Sequence, residues 1–395
     1  MIQFNDLDLQ TFLSEFWQKK PLVIRGGLPN FESPVSAEEL GGLSLEPEVE
    51  SRIVIQKGEQ DYQLLTGPFE QATYEALPDS HWTLLIQGMD RLVPEVTDVL
   101  NDFDFLPRWR IDDIMVSYAT KGGNVGPHFD HYDVFLLQAA GKRQWTLTSQ
   151  DCTEDNYIQG VDLRLMKTFK VEEDYTFETG DILYIPPKWG HHGVALDDEC
   201  MTYSIGYRTY RGQELWDSFG DHLSEMGTFK SLYQDPNWSA NLNPGEITDS
   251  AAEQAQTLLQ SVLEDKALMK TWFGRFATQL DQVAAQQLPE PLTEEETPDI
   301  EDFMGALQSE VGLIKDPVCR FAYSIVNQQT LLYVNGAIWE TFGASDSFMA
   351  KLANQSYLTQ AELLECGADK ASPESEGNIK LLFDLWKLQY LVFIE

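Results

Sequence analysis

Gly126-Pro127-His128-Phe129-Asp130 sets an imidazole and a carboxylate two residues apart at the exit of a Gly-rich turn (Gly122, Gly123, Gly126). An extended chain repeats every two residues, so His128 and Asp130 point the same way. Sixty-one residues after Asp130 stands a second histidine, His191. It follows Gly180-Asp181-Ile182-Leu183-Tyr184-Ile185-Pro186-Pro187, which reads as a turn, an apolar strand and a rigid exit. Two imidazoles and one carboxylate on one face of an octahedral ion leave three positions open, the arrangement of non-haem Fe(II) oxygenases. Structural zinc sites close a tetrahedron, often with thiolates, and no cysteine lies near this motif. The residues favour iron.

Four of the six histidines lie between positions 128 and 192. His81 and His222 read as structural. His131, three residues after His128, would face away from it on a regular strand. His191 and His192 compete for the distal ligand position; the register after Pro186-Pro187 favours His191, with His192 as the alternative. An Fe(II) oxygenase that consumes 2-oxoglutarate also needs a cation deep in its fold for the far carboxylate. Arginine offers a bidentate fork for that task. Arg143, in Gly141-Lys142-Arg143-Gln144-Trp145, is the candidate over Lys142, because alternate residues face the interior.

These side chains require a scaffold of strands. Residues 111–118, 132–138, 144–148, 167–171, 182–185 and 201–207 are short, apolar or alternating, and separated by Gly-containing or acidic turns. That pattern predicts a jelly-roll or cupin-like double sheet rather than a parallel α/β sheet. Upstream, residues 9–18 carry a helical stripe (Leu9, Phe12, Leu13, Phe16, Trp17), 22–24 a short strand, 51–67 a hairpin, 81–86 a further strand and 93–105 a helix. From Gln213 onward the texture is helical: Leu215, Trp216, Phe219 and Leu223, then Leu258, Leu259, Val262 and Leu263 behind possible caps at Thr248, Asp249 and Ser250, then Trp272, Phe273, Phe276 and Leu280. Residues 281–310 hold nine acids, no base and three prolines, and read as an exposed boundary running into the next helix. A hairpin at 320–334 flanked by helices at 347–354, 360–366 and 379–389 suggests a winged-helix type of domain.

The chain carries 64 acidic and 27 basic residues, a formal charge of -37, and the excess runs through both halves. Direct gripping of nucleic acid through its phosphates is therefore not expected. An acidic surface instead serves solubility or steers a basic protein partner. The four scattered cysteines, without a Cys-x-x-Cys pair, and an N-terminus with neither a basic nor an apolar leader predict a reduced, cytoplasmic location; no apolar run approaches a membrane span.

Residues 16–24 (Phe-Trp-Gln-Lys-Lys-Pro-Leu-Val-Ile), Arg110-Ile111-Asp112-Asp113, residues 126–135 and residues 180–187 resemble the Jumonji-C ribosomal oxygenases, above all the bacterial enzymes that hydroxylate an arginine of large-subunit ribosomal protein sixteen. The resemblance runs over the whole chain and is sharpest in the barrel. It implies a mixed α+β architecture: a double-stranded β-helix Jumonji-C catalytic domain over residues 1–210, a helical dimerisation region over 211–288 and an acidic winged-helix-like domain over 289–395. It further implies His128, Asp130 and His191 as ligands of Fe(II), Ser117 and Arg143 as contacts to 2-oxoglutarate, and Asp113, Met115 and Tyr132 as contacts to a substrate arginine, with O2 as the oxidant and a homodimer as the assembly. Asp113, Met115 and Ser117 alternate and would share one strand face, although a bulge would turn Asp112 inward instead. A carboxylate beside an aromatic ring is what a guanidinium needs. Two other readings compete: an N-methyl demethylase with the same iron centre, and a non-catalytic acidic scaffold that binds a ribosomal protein.

Overall fold

The computed structural model describes residues 2–239, 243–309, 312–365 and 373–394. Two compact units divide the chain, Met1–Thr209 and Tyr210–Glu395.

The first unit is built on twelve strands: β1 (Leu22–Ile24), β2 (Ser51–Gln56), β3 (Tyr62–Thr66), β4 (Trp82–Ile86), β5 (Ile111–Ala119), β6 (His128–Phe129), β7 (Asp133–Ala140), β8 (Arg143–Thr148), β9 (Glu173–Phe177), β10 (Ile182–Ile185), β11 (Gly190–Ala195) and β12 (Cys200–Tyr207). Eight form one antiparallel sheet in the order β1-β10-β7-β12-β5-β4-β2-β3, and four form a second, β6-β11-β8-β9. Alternation along β7 shows how the two sheets close on each other. Val134 and Leu136 meet Trp145, Leu147 and Phe177 of the smaller sheet, together with Leu183 and Ile185. Phe135 and Leu137 project from the opposite face into the main core. That outer face is sealed by the N-terminal helical segment, where Asp8 caps Leu9–Thr11 and a π turn runs over Phe12–Phe16. Fully buried Phe12 meets the rings of Phe4, Phe105, Phe135 and Tyr184 with centroids 4.9–6.0 Å apart. The result is the double-sheet, cupin-like barrel expected from the strand pattern.

Two sequence expectations need correction, and one strand goes beyond them. Residues 167–171 are not a strand. Asn156 holds Thr168 through Nδ2 to its carbonyl (2.9 Å) and accepts from its amide (3.1 Å), which ties this stretch to the 151–157 loop; the strand begins at Glu173. Gly190–Ala195 is a strand although its composition did not announce one. The helix expected over 93–105 is two short pieces, Pro94–Thr97 and a 3-10 turn over Asp98–Phe103.

In the second unit, helices Gly212–Met226, Asp249–Leu263 and Lys266–Ala277 lead, the second capped by the Thr248 hydroxyl, which accepts from Ala251 N. The Ile300–Ser309 helix follows the acidic stretch. Then come β13 (Gly312–Lys315), β14 (Phe321–Val326), β15 (Gln329–Val334), β16 (Ala337–Ile338), helix Asp346–Asn354, β17 (Tyr357–Thr359), the short helix Gln360–Leu363, helix Pro373–Lys387 and β18 (Leu391–Ile394). Hairpin β14-β15-β16 and sheet β17-β13-β18 pack with the helices around Phe303, Phe348, Leu352, Leu381 and Leu385. Cys366, the expected end of the 360–366 helix, lies outside the described residues. Among the described residues no helix is long and apolar enough to cross a membrane.

Phe12→Ala removes the ring that joins the N-terminal segment to β7 and β10, and should cost roughly 3–5 kcal/mol. Denaturant unfolding of the full chain measures it, and an unchanged midpoint would contradict this packing.

Candidate metal centre

Strands β6 and β11 pair antiparallel with Gly190 opposite Phe129 and His191 opposite His128. Directly opposed residues bring side chains together, and the two imidazole centroids are 4.2 Å apart. Asp130, just past the end of β6, turns its carboxylate to the same place, with Oδ2 3.5 Å from His191 Nε2. The three ligand atoms lie within 4.8 Å of one another, and among the described residues this is the one His/Cys/Asp/Glu cluster able to hold a metal ion.

The rings are oriented from behind. His128 Nδ1 lies 2.9 Å from the carbonyl of Gly126, and His191 Nδ1 3.1 Å from that of Trp189. Each carbonyl accepts the Nδ1 proton, which leaves both Nε2 lone pairs for a metal. Burial, followed by the charge of His128, lowers the pKa of His191 to about 4, so its imidazole is neutral and ligand-ready at neutral pH. Lys188 donates its amide to the Asp130 carbonyl at 2.8 Å, pinning the exit of Pro186-Pro187 to the end of the motif.

His192, next along β11, points to the opposite face; its Nε2 meets Asn124 Oδ1 at 3.2 Å, and Phe169 stands edge-on at 6.3 Å. His131 faces Glu154, 3.7 Å away. Neither joins the cluster. His81 lies in a loop beside Ser80, and His222 sits in the second unit against Arg275.

Arg143 starts β8 and is 3% exposed. Its Nε donates to Cys200 Sγ at 3.3 Å, its guanidinium lies 5.6 Å from the Trp145 ring centroid, and its Nη2 is buried with no hydrogen-bond partner among the described residues. An unmet buried cation donor is costly, so this atom marks a place for an anion. The Trp145 ring also lies 6.0 Å from His191. It fits because Trp145 is paired with Gly193, where a Cβ would fall 2.5 Å from the indole. Ser117 and Thr202 are cross-strand partners and both buried; the Ser117 hydroxyl donates to Thr202 O at 3.4 Å, and the Thr202 hydroxyl to Gln138 Oε1 at 3.2 Å. Trp145, Cys200, Gln138 and Asn124 were not singled out from the sequence. A Gly opposite a Trp is visible only once register is known.

Along β5, Ile114 and Val116 enter the main core, so Asp113, Met115 and Ser117 face the other way. Asp112 turns outward to Arg208 Nε at 2.9 Å. Asp113 is 5% exposed, and its Oδ2 accepts from Gln87 Nε2 (2.6 Å) and Gly88 N (2.8 Å). Burial, then the charges of Asp90 and Asp112, raise its pKa to about 7. Tyr132 is 43% exposed, yet its hydroxyl end lies among carboxylates: Asp130 first, then burial and Asp113, push its pKa well above the usual tyrosine value.

The fold, the His-Asp-His cluster and the buried arginine define a Jumonji-C oxygenase of the ribosomal-oxygenase type. A JmjC domain model matches residues 98–215, and a ROXA-like winged-helix model matches residues 261–392. The chain belongs to the Jumonji-C ribosomal oxygenases. It is 34% identical over 285 residues to the Escherichia coli (strain K12) ribosomal protein uL16 3-hydroxylase, covering 72% of this chain and 75% of that one. It is 29% identical over 384 residues to a probable ribosomal oxygenase of Haemophilus influenzae, covering 94% and 92%. The crystal structure of E. coli YcfD superposes with a TM-score of 0.85 at 29% identity over all of both chains. The same ribosomal oxygenase in complex with cobalt and 2-oxoglutarate gives 0.81 at 28% identity, again over all of both chains.

The Asp113 pKa has a checkable sign. It lies above the ordinary aspartate value of 3.8, so folding favours the protonated carboxyl, and that stability is lost as pH rises from near 3.8 through about 7. Asp113→Asn keeps an acceptor for Gln87 and Gly88. It should therefore be more stable than the parent at pH 8, by up to roughly 4 kcal/mol, with no gain near pH 4. Thermal unfolding across pH tests this; equal midpoints at pH 8 would refute it.

Proposed function

We propose that this chain is an Fe(II)- and 2-oxoglutarate-dependent hydroxylase of an arginine side chain in a basic ribosomal protein, the counterpart of uL16. The observation that carries the reading is the pairing of the His128, Asp130 and His191 cluster with the partnerless Nη2 of buried Arg143. Three ligands for a metal and one unmet cation for a dicarboxylate are what the cosubstrate needs. A relative's crystal complex holds cobalt and 2-oxoglutarate, which fits the same donor set.

In this reading His128, Asp130 and His191 hold the iron, and their Nδ1 hydrogen bonds fix the ring planes before the metal arrives. Bound iron supplies the chemistry that couples oxidative decarboxylation of 2-oxoglutarate to hydroxylation of a carbon. Arg143 pairs its Nη2 with the distal carboxylate of 2-oxoglutarate, and Ser117 lends its hydroxyl. The indole of Trp145, between Arg143 and His191, excludes water from the pocket wall. On the opposite wall, Asp113 already uses Oδ2 for Gln87 and Gly88 and offers Oδ1 to a guanidinium. Tyr132 and Met115 give that cation an aromatic and a thioether surface. A positively charged side chain also removes the cost of ionising Asp113, which favours arginine or lysine over a neutral guest.

The net charge of -37 favours encounter with a basic ribosomal protein rather than with RNA. The division into a catalytic domain over 1–210, a helical homodimerising region over 211–288 and a winged-helix-like domain over 289–395 belongs to the same proposal, as does a cytoplasmic location. The Asp249–Leu263 helix has no buried residue and exposes Leu259 and Leu263, which suits a role in self-association.

Incubation with Fe(II), 2-oxoglutarate and O2 should add one oxygen to an arginine of uL16, detected by mass spectrometry and absent with His128→Ala. Succinate formation without modified uL16 would discard the substrate, and neither product would favour an acidic scaffold. Arg143→Ala should weaken 2-oxoglutarate binding about 10- to 100-fold in calorimetry with Mn(II) loaded; unchanged binding would remove Arg143 from the site.

A further inference from the structure

The Gly-rich turn ahead of His128 contains one polar side chain, Asn124, and it is 1% exposed. Its Oδ1 accepts three hydrogen bonds: from the Tyr62 hydroxyl (3.0 Å), from Gly126 N (2.9 Å) and from His192 Nε2 (3.2 Å). Its Nδ2 donates to Gln56 Oε1 (2.7 Å) and Gly122 O (2.9 Å). The two carbonyl acceptors on Nδ2 fix which end of the amide is oxygen. His192 therefore carries its proton on Nε2.

The Gly126 contact reaches the metal cluster. Gly126 has φ +80°, a conformation open to glycine, and a Cβ there would collide with Leu165. Its amide is held by Asn124, while its carbonyl receives Nδ1 of His128. One residue is thus gripped at both polar groups, and Asn124 holds the peptide unit just before the carbonyl that aims the imidazole. Three elements converge on that grip: the β2–β3 hairpin through Gln56 and Tyr62, β11 through His192, and the turn itself.

We propose that Asn124 is a positioning residue for the metal ligand His128, and that His192 and Tyr62 act on the metal only through it. This explains a half-buried histidine beside a ligand that ligates nothing, and it rests on the reading of His128, Asp130 and His191 as metal ligands. Outer partners that orient a ligating histidine typically change metal affinity 10- to 100-fold when lost. Asn124→Ala should weaken Co(II) binding by about tenfold or more. His192→Leu and Tyr62→Phe should weaken it less, and His192→Gln, which keeps a donor, should restore it. In the Asn124→Ala background His192→Leu should add nothing, because its route to the metal is already cut.

The test is anaerobic titration of the full-length protein with Co(II), followed by its absorption spectrum, with thermal midpoints measured on the same metal-free samples. A merely structural role would lower the midpoints and leave Co(II) affinity alone. If the parent binds Co(II) and both Asn124→Ala and His192→Leu bind within about twofold of it, the positioning role is overturned while the ligand assignment stands. If the parent binds no Co(II), or His128→Ala binds equally well, the ligand assignment fails and the proposal with it. Should Asn124→Ala not fold, the His192→Leu, His192→Gln and Tyr62→Phe series decides by the same comparison.

Discussion

One backbone pairing holds the cluster together: His128 opposite His191, across a strand only two residues long. Among the described residues strand β6 pairs with β11 alone, at the edge of its sheet. Much of the surrounding structure keeps this short contact in register. Lys188 ties the approach to β11 to the Asp130 carbonyl, Met166 donates its amide to Pro127, and Asn124 grips Gly126. A slip of β6 by one residue would turn His128 to the wrong face while β8 keeps His191 in place, so these tethers protect the ligand geometry as much as stability.

The interior facing this pair is polar in a way that costs stability. Asp113, Ser117, Arg143, Thr202 and Gln138 are all buried, whereas the main core on the other face of the larger sheet is predominantly aliphatic and aromatic. Most are paired with one another, but Arg143 Nη2 is not, and Asp113 is held near neutrality by its surroundings. An apolar barrel would be more stable and would bind nothing charged. The main core absorbs this cost on the far side of the larger sheet, where Phe12, Phe135, Tyr184 and Tyr207 interlock around Trp17.

Much of this was legible in the sequence, where local pattern and site chemistry coincide. The apolar segments of β5, β7, β10 and β12 carry period-two or continuous apolar signals, and His-x-Asp after a Gly-Pro turn is a local motif. Strand β11 was not legible, because Gly-His-His-Gly-Val-Ala has little β preference of its own; its partners on both sides make it a strand. Lys167, Phe169 and Val171 alternate convincingly and still form a loop, because Asn156 captures Thr168. The choice between His191 and His192 depends on which face β11 presents, which no residue type declares. Asn124, Cys200 and Trp145 take their roles from contacts 57 to 68 positions away in the first two cases and from a cross-strand glycine in the third. Long-range register is the information that a local reading lacks.

The most direct test of the central claim is a crystal structure of the full chain with Mn(II) and 2-oxoglutarate, located by anomalous scattering. The account predicts a single strong peak about 2.0–2.3 Å from His128 Nε2, an Asp130 carboxylate oxygen and His191 Nε2, with Arg143 Nη2 on the distal carboxylate of 2-oxoglutarate. A peak that includes His192 or His131, or 2-oxoglutarate bound away from Arg143, would contradict it.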